Sequence, residues 1–225
     1  ILAFMDSVIE NKGINYNDIF RKWSNWLNNN EYTAFNNSFD SGRTCSEAIS
    51  RFNMHVEPLL CGGANYNDNG NGALMRIIPV AFMNLLDDEI NLISGLTHNH
   101  RISKECCLSY VHTVKNFLNE NYTYEYNKNM RDVSTLKEKD IKSGGYVVET
   151  IEAAYWCVMN SNSYEEAILK AVNLGGDTDT TACVVGPLAA LKFNDIPEKW
   201  INNIPKLNWI ETIIKEFGET VNYEE

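Results

Sequence analysis

Apolar side chains along the chain recur every three to four positions, the period of a helix. Ile1, Met5, Val8 and Ile9 share one face of a first stretch that runs to Asn11. Tyr16, Ile19, Phe20, Trp23, Trp26 and Leu27 form a second stripe, with Asn15 placed to cap it and Asp18 in its first turn. The spacing predicts further helices from Thr44 or Ser46 to about Met54, over Asp87–Ser94, over Ile102–Asn119 and from Val147 through Val158. Ser163 and Glu166 form a capping box for the helix that runs to Leu174. Pro197 opens a short helix near its first turn, and Trp209, Ile213, Ile214 and Phe217 mark a last one. No segment alternates apolar and polar over the length of a strand. The pattern predicts an all-α fold, a compact single-domain orthogonal helix bundle spanning residues 1–225. No fixed period repeats, so a simple solenoid is excluded.

The stretch Leu174–Leu191 breaks this regularity. Gly175-Gly176 ends one helix, and Asp177-Thr178-Asp179-Thr180 crowds two carboxylates and two hydroxyls into four positions. The run Ala182–Leu191 is apolar or small on every face, which predicts a buried central helix. Pro187 within it predicts a kink, and Asp177 is placed to cap it with its side chain. Such a run is too short for a membrane, which needs roughly 20 apolar residues. Two carboxylates held together repel, and the helix dipole offsets only about 0.3–1 kcal/mol of that for each. An N-cap with a spare surface aspartate is the plain reading. The glycines ahead and the apolar helix behind favour a hard, all-oxygen cation site at Asp177, Asp179 and Thr180 instead.

Loops carry the other candidates. Cys61–Gly72 is rich in Gly, Asn and Asp and leads into Gly70-Asn71-Gly72, followed by an apolar stretch read as helical. The glycines allow close backbone approach to a ligand, and a helix start there offers N–H groups to an anion. Arg76 pairs either with a phosphate or with an internal carboxylate. Ser143-Gly144-Gly145-Tyr146 opens another helix, with Tyr146 stacking on a ring or packing. Asp40 reads as a turn residue, and residues 121–142 read as a surface excursion with one weak helix.

Charge and cysteines narrow the class. The 225-residue chain is 44% hydrophobic and 22% charged, with a net charge of −11. That balance disfavours nucleic acid and anionic membrane surfaces. Six cysteines without a C-x-x-C pair read as reduced core thiols of a cytoplasmic protein. No signal peptide or membrane segment is visible, and a monomer is expected.

Gly175-Gly176-Asp177-Thr178-Asp179-Thr180 followed by a small-residue helix resembles the C-terminal metal motif of the ADP-ribosylglycohydrolases, relatives of the dinitrogenase-reductase-activating glycohydrolase. Gly70-Asn71-Gly72 resembles their cleft loop, Thr97-His98 their nucleotide-sugar histidine, and Ser143–Val147 the Ser-Gly-Tyr-Val segment beside their substrate. The resemblance implies hydrolysis of the glycosidic bond between ADP-ribose and a protein side chain, or a small ADP-ribose conjugate. It implies two Mg²⁺ ions, with Mn²⁺ possible in their place. It carries over Asp177 and Asp179 as catalytic and, with Thr180, as metal ligands. Asn71, Gly72, His98, Gly144, Gly145 and Tyr146 become substrate-binding residues. The family's Thr-Asp-Asp-Thr metal motif, a Gly-Asp-Ala segment and a Glu precede a helix like Ile1–Asn11, so the sequence is expected to lack an N-terminal part. Two other classes stay open: a non-catalytic ADP-ribose-binding, immunity or regulatory relative, and a structural or storage protein.

Overall fold

The computed structural model describes residues 1–221. Ten α-helices follow one another: α1 Leu2–Asn11, α2 Tyr16–Asn29, α3 Arg43–Asn53, α4 Asp87–Gly95, α5 Arg101–Leu118, α6 Val147–Met159, α7 Tyr164–Asn173, α8 Thr178–Phe193, α9 Glu198–Ile201 and α10 Leu207–Thr220. Among the described residues, strand pairing is limited to two isolated bridges, Gly63 with His98 and Gly70 with Tyr146. The all-α expectation is met.

Local chemistry explains the helix ends. Asn15 accepts from the Asp18 N–H at 3.1 Å, the cap expected for α2. Asn30 then ends α2 in the left-handed conformation. Ser163 accepts from the Glu166 N–H at 3.1 Å to cap α7. Glu166 returns its bond to the N–H of Asn162, one residue earlier than a capping box requires. Pro197 precedes α9 rather than entering it.

The bundle has the expected buried central helix, but it is α6 and not α8. Eleven of the thirteen α6 residues are buried, and α5, α7 and α8 pack around it. α8 buries one stripe, Thr181, Val184, Val185, Leu188 and their neighbours, while Cys183 is exposed. Small apolar residues on both faces of α8 hid this stripe from a reading of polarity. α8 runs continuously through Pro187. Next to the carbonyl that Pro187 cannot serve, the Val184 carbonyl accepts from the Tyr110 hydroxyl at 2.9 Å, tying α8 to α5.

One further expectation changes. The apolar stretch after Gly72 forms two 3-10 turns, Leu74–Arg76 and Ile78–Phe82, with Pro79 opening the second. Residues 121–142 hold one short 3-10 turn, Glu138–Asp140, in keeping with the single weak helix expected there. They are nevertheless anchored, because buried Glu152 of α6 accepts from the Arg131 backbone N–H at 2.6 Å and from its guanidinium. One continuous apolar cluster runs from Ala3 to Phe217. Burial on that scale is the dominant stabilising term, roughly 25 cal/mol per Å² of apolar surface.

Candidate functional site

Three loop segments meet at the N-terminal ends of α6 and α8. The Asn71 N–H donates to the Gly145 carbonyl at 3.1 Å, and the Val147 N–H donates to the Asn69 carbonyl at 3.0 Å. The Asp177 N–H donates to the Ser143 carbonyl at 2.8 Å, and the Ser143 hydroxyl donates to the Gly175 carbonyl at 2.8 Å. The chain thus stitches the Gly70–Gly72 loop, the Ser143–Tyr146 turn and the Gly175–Asp177 turn into one floor. Gly176 is required there. Its φ of +67° is left-handed, and a Cβ would lie 2.4 Å from the Ser143 carbonyl oxygen.

Asn71 and Asp177 meet above this floor. The Asn71 Nδ2 donates to Asp177 Oδ2 at 2.7 Å and to the Thr150 hydroxyl at 3.0 Å. Burial pushes the Asp177 carboxyl up, but the Asn71 amide, helped by Thr180, holds it below its ordinary value. Asp177 stands at the N-cap position of α8, yet its carboxylate makes no capping bond. It faces across to Asn71 instead, which corrects the expected cap. Thr180 is buried and Asp179 is exposed at the mouth of the same turn.

His98 lies on the other side of the Gly70–Gly72 loop, 2% exposed. Its Nδ1 is 2.8 Å from the Thr97 hydroxyl oxygen, which accepts from Arg76 Nη2 at 2.7 Å. With that oxygen already accepting from a cation, its own proton points to Nδ1, and the imidazole proton is assigned to Nε2. Burial first, and then the Arg76 charge, lowers the His98 pKa from 6.5 to about 3. A Cβ on Gly72 would lie 3.0 Å from both His98 Cε1 and Cys45 Sγ, and one on Gly70 3.5 Å from His98 Nε2. A Cβ on Gly72 would therefore crowd this imidazole, whereas one on Gly70 would meet it only at ordinary contact distance.

The remaining candidates fall around the same floor. A Cβ on Gly145 would sit 3.6 Å from Asp177 Oδ2, and one on Gly144 2.7 Å from Glu149 Oε2. Tyr146 is half-buried beside Tyr66, and burial followed by that neighbour raises its hydroxyl to about 12. Among the described residues Arg76 makes no ion pair with a carboxylate, so the expected internal salt bridge is absent. It donates to the Ser94 carbonyl at 3.3 Å at the end of α4 and stacks 4.5 Å over the Trp23 ring. The structure adds residues that sequence reasoning passed over. Thr150 takes part in the Asn71 bond. Asn69 accepts from the Ser103 N–H at 3.1 Å and hydroxyl at 2.9 Å. Buried Asp68 accepts from Arg43 at 3.0 Å and braces the loop. The Asn-Asp-Asn-Gly run at 67–70 hinted at the loop pair, whereas nothing in the helical pattern marks Thr150.

The donor set at the α8 mouth, two carboxylates and a hydroxyl, fits a hard cation in kind. Among the described residues, no group of three or more His, Cys, Asp or Glu side chains gathers as a metal centre. A 630 Å³ surface cavity lined by Arg21, Phe52 and His55, among others, shares no residue with the site. No described helix is long and apolar enough to cross a membrane.

Known proteins resemble this arrangement along its whole length. A family model described as ADP-ribosylglycohydrolase matches residues 1–224. An ADP-ribosylarginine hydrolase of Pseudomonas putida is 25% identical over 96% of this chain and 63% of its own length. The ADP-ribosyl-[dinitrogen reductase] glycohydrolase of Rhodospirillum rubrum is 27% identical over 83% of this chain and 65% of its own. The chain thus spans somewhat less than two thirds of the length of these relatives. A solved structure described as an ADP-ribosylglycohydrolase-related protein complex shares the fold, with a TM-score of 0.78 over 98% of this chain and 79% of its own at 20% identity. On the family match across residues 1–224, the chain belongs to the ADP-ribosylglycohydrolase family.

Proposed function

We propose that the protein hydrolyses the glycosidic bond joining ADP-ribose to a protein side chain, with arginine as the linkage. The observation that carries this reading is the 2.7 Å bond from Asn71 to Asp177, which joins the cleft loop to the acidic turn. The linkage follows the Pseudomonas putida relative, whose name specifies ADP-ribosylarginine.

Asp177, Asp179 and Thr180 would hold Mg²⁺, or Mn²⁺, at the mouth of α8, as half of a two-ion site. When bound, such an ion supplies charge stabilisation and orients ribose hydroxyls and water. The chain's own residues do the rest. Asn71 fixes the direction of the Asp177 carboxylate. Asp177 and Asp179 supply the negative charge that faces a developing oxocarbenium ion. Gly144, Gly145 and Tyr146 form the wall beside them, and neutral His98 supports the loop from below. The resemblance puts the remaining metal ligands ahead of α1. α1 begins beside α8, with the Ile1 nitrogen near Cys183. Cys183 lies one helical turn beyond Asp179. The reading takes the protein as a cytoplasmic monomer. All six cysteines are free thiols, the state a reducing compartment maintains.

The test is release of ADP-ribose from arginine-modified and serine-modified proteins, with Mg²⁺ and after chelation. Metal-dependent release from the arginine linkage supports the reading. Binding of ADP-ribose with no release from either linkage overturns it.

A further inference from the structure

Thr150 lies in the first turns of α6, fully buried, in a stretch with no chemical signature of its own. Its hydroxyl oxygen accepts from Asn71 Nδ2 at 3.0 Å. Its own proton has the Gly144 carbonyl at 3.1 Å and the Tyr146 carbonyl at 3.3 Å as acceptors. The Asn71 amide has two hydrogens, and the second goes to Asp177 Oδ2 at 2.7 Å. Both are therefore used, which settles which end of the carboxamide is nitrogen and fixes its plane. The Asn71 backbone is held as well, its N–H on the Gly145 carbonyl at 3.1 Å and its carbonyl accepting from the Met75 N–H at 3.0 Å. Only the side-chain torsions remain free, and Thr150 restrains them.

We propose that Thr150 is a positioning residue: by accepting one hydrogen of the Asn71 carboxamide, it holds the other on Asp177 Oδ2 and so orients that carboxylate at the mouth of α8. Valine has the same shape but no acceptor. In its presence one amide hydrogen is left without an acceptor in a dry site, and the carboxamide torsions are no longer held from that side, so the amide and the carboxylate it bonds become free to move together. The relay itself is independent of what the site binds. Its consequence for cations rests on the function proposed above.

A merely structural Thr150, needed only to tie down the Gly144–Tyr146 turn, would change stability without changing the Asn71 amide. The experiment is therefore ¹⁵N-resolved NMR of the Asn71 side-chain amide in wild type, Thr150→Ser and Thr150→Val, with calorimetric Mg²⁺ titration of each. Wild type and Thr150→Ser should show two separate, exchange-protected amide protons. Thr150→Val should lose at least 10-fold in that protection and bind Mg²⁺ roughly 10-fold more weakly, as outer-shell partners do. Unchanged amide exchange in a folded Thr150→Val protein overturns the proposal. If Thr150→Val does not fold, wild type decides: Asn71 protons exchanging as fast as those of exposed asparagines also overturn it. If wild type binds no Mg²⁺ yet the amide responds as expected, the relay stands and the functional reading falls.

Discussion

The Asn71 carboxamide donates to the Asp177 carboxylate at 2.7 Å, across 106 positions of chain. It joins the Gly70–Gly72 loop to the acidic turn at the start of α8. A hydrogen bond to a charged group contributes about 1.5–3 kcal/mol when well buried. Asp177 is only half-buried, so the lower end applies. Asn71→Leu keeps the volume and removes the donor. It should reduce turnover about 10- to 100-fold, the range seen for partners one step behind a metal ligand. Steady-state ADP-ribose release checks this, and a variant within 2-fold of wild type would refute it.

His98 makes stability pH-dependent. Its folded-state pKa, about 3, lies below its ordinary value of 6.5. Between those values the unfolded chain binds the proton and the folded one does not. The stabilisation is thus fully present above pH 6.5 and is lost progressively as the pH falls toward 3. Urea unfolding at several pH values should show this slope, and His98→Gln should flatten it. Arg76→Met should move the His98 titration upward while leaving it below 6.5, because burial is the larger cause and Arg76 the second.

The glycines separate strain from steric exclusion. Gly175 and Gly176 are both left-handed, at φ +79° and +67°. A Cβ on Gly175 meets nothing within 4 Å, while one on Gly176 meets the Ser143 carbonyl at 2.4 Å. Gly175→Ala should therefore cost about 1 kcal/mol from backbone strain alone, and Gly176→Ala clearly more. Gly72→Ala should cost about 1–3 kcal/mol through overpacking against His98 and Cys45. Gly218 lies in α10 with open space around it, so Gly218→Ala should stabilise by about 0.4–1 kcal/mol. Thermal unfolding of the four variants gives the order directly.

Much of the architecture was legible because helices announce themselves by period. The stripe from Tyr16 to Leu27 is α2, and the Asn15 cap is present. α8 misled, since alanines, valines and a cysteine on all faces carry no sign of which side meets the core. The stretch after Gly72 misled as well, because apolar periodicity does not distinguish an α-helix from consecutive 3-10 turns broken by Pro79. The acidic turn and the Asn71 loop stood out as sequence because their polar and glycine residues have no place in a plain helix. Their meeting did not, for it depends on backbone bonds from Ser143 and Gly145 that any residue types can make. Thr150 and the Thr97–Arg76 support of His98 were hidden for a related reason. Each is one ordinary side chain whose role comes from a distant partner.

The most direct test of the central claim is single-turnover release of ADP-ribose from an arginine-modified protein by wild type and Asp177→Asn, at the same Mg²⁺ concentration. Asparagine keeps the shape of Asp177 and removes the charge. The account predicts release by wild type and a loss of at least 100-fold in Asp177→Asn, with the melting temperature nearly unchanged. Equal rates in the two proteins would contradict it, because the turn at the mouth of α8 would then not be where the bond is broken.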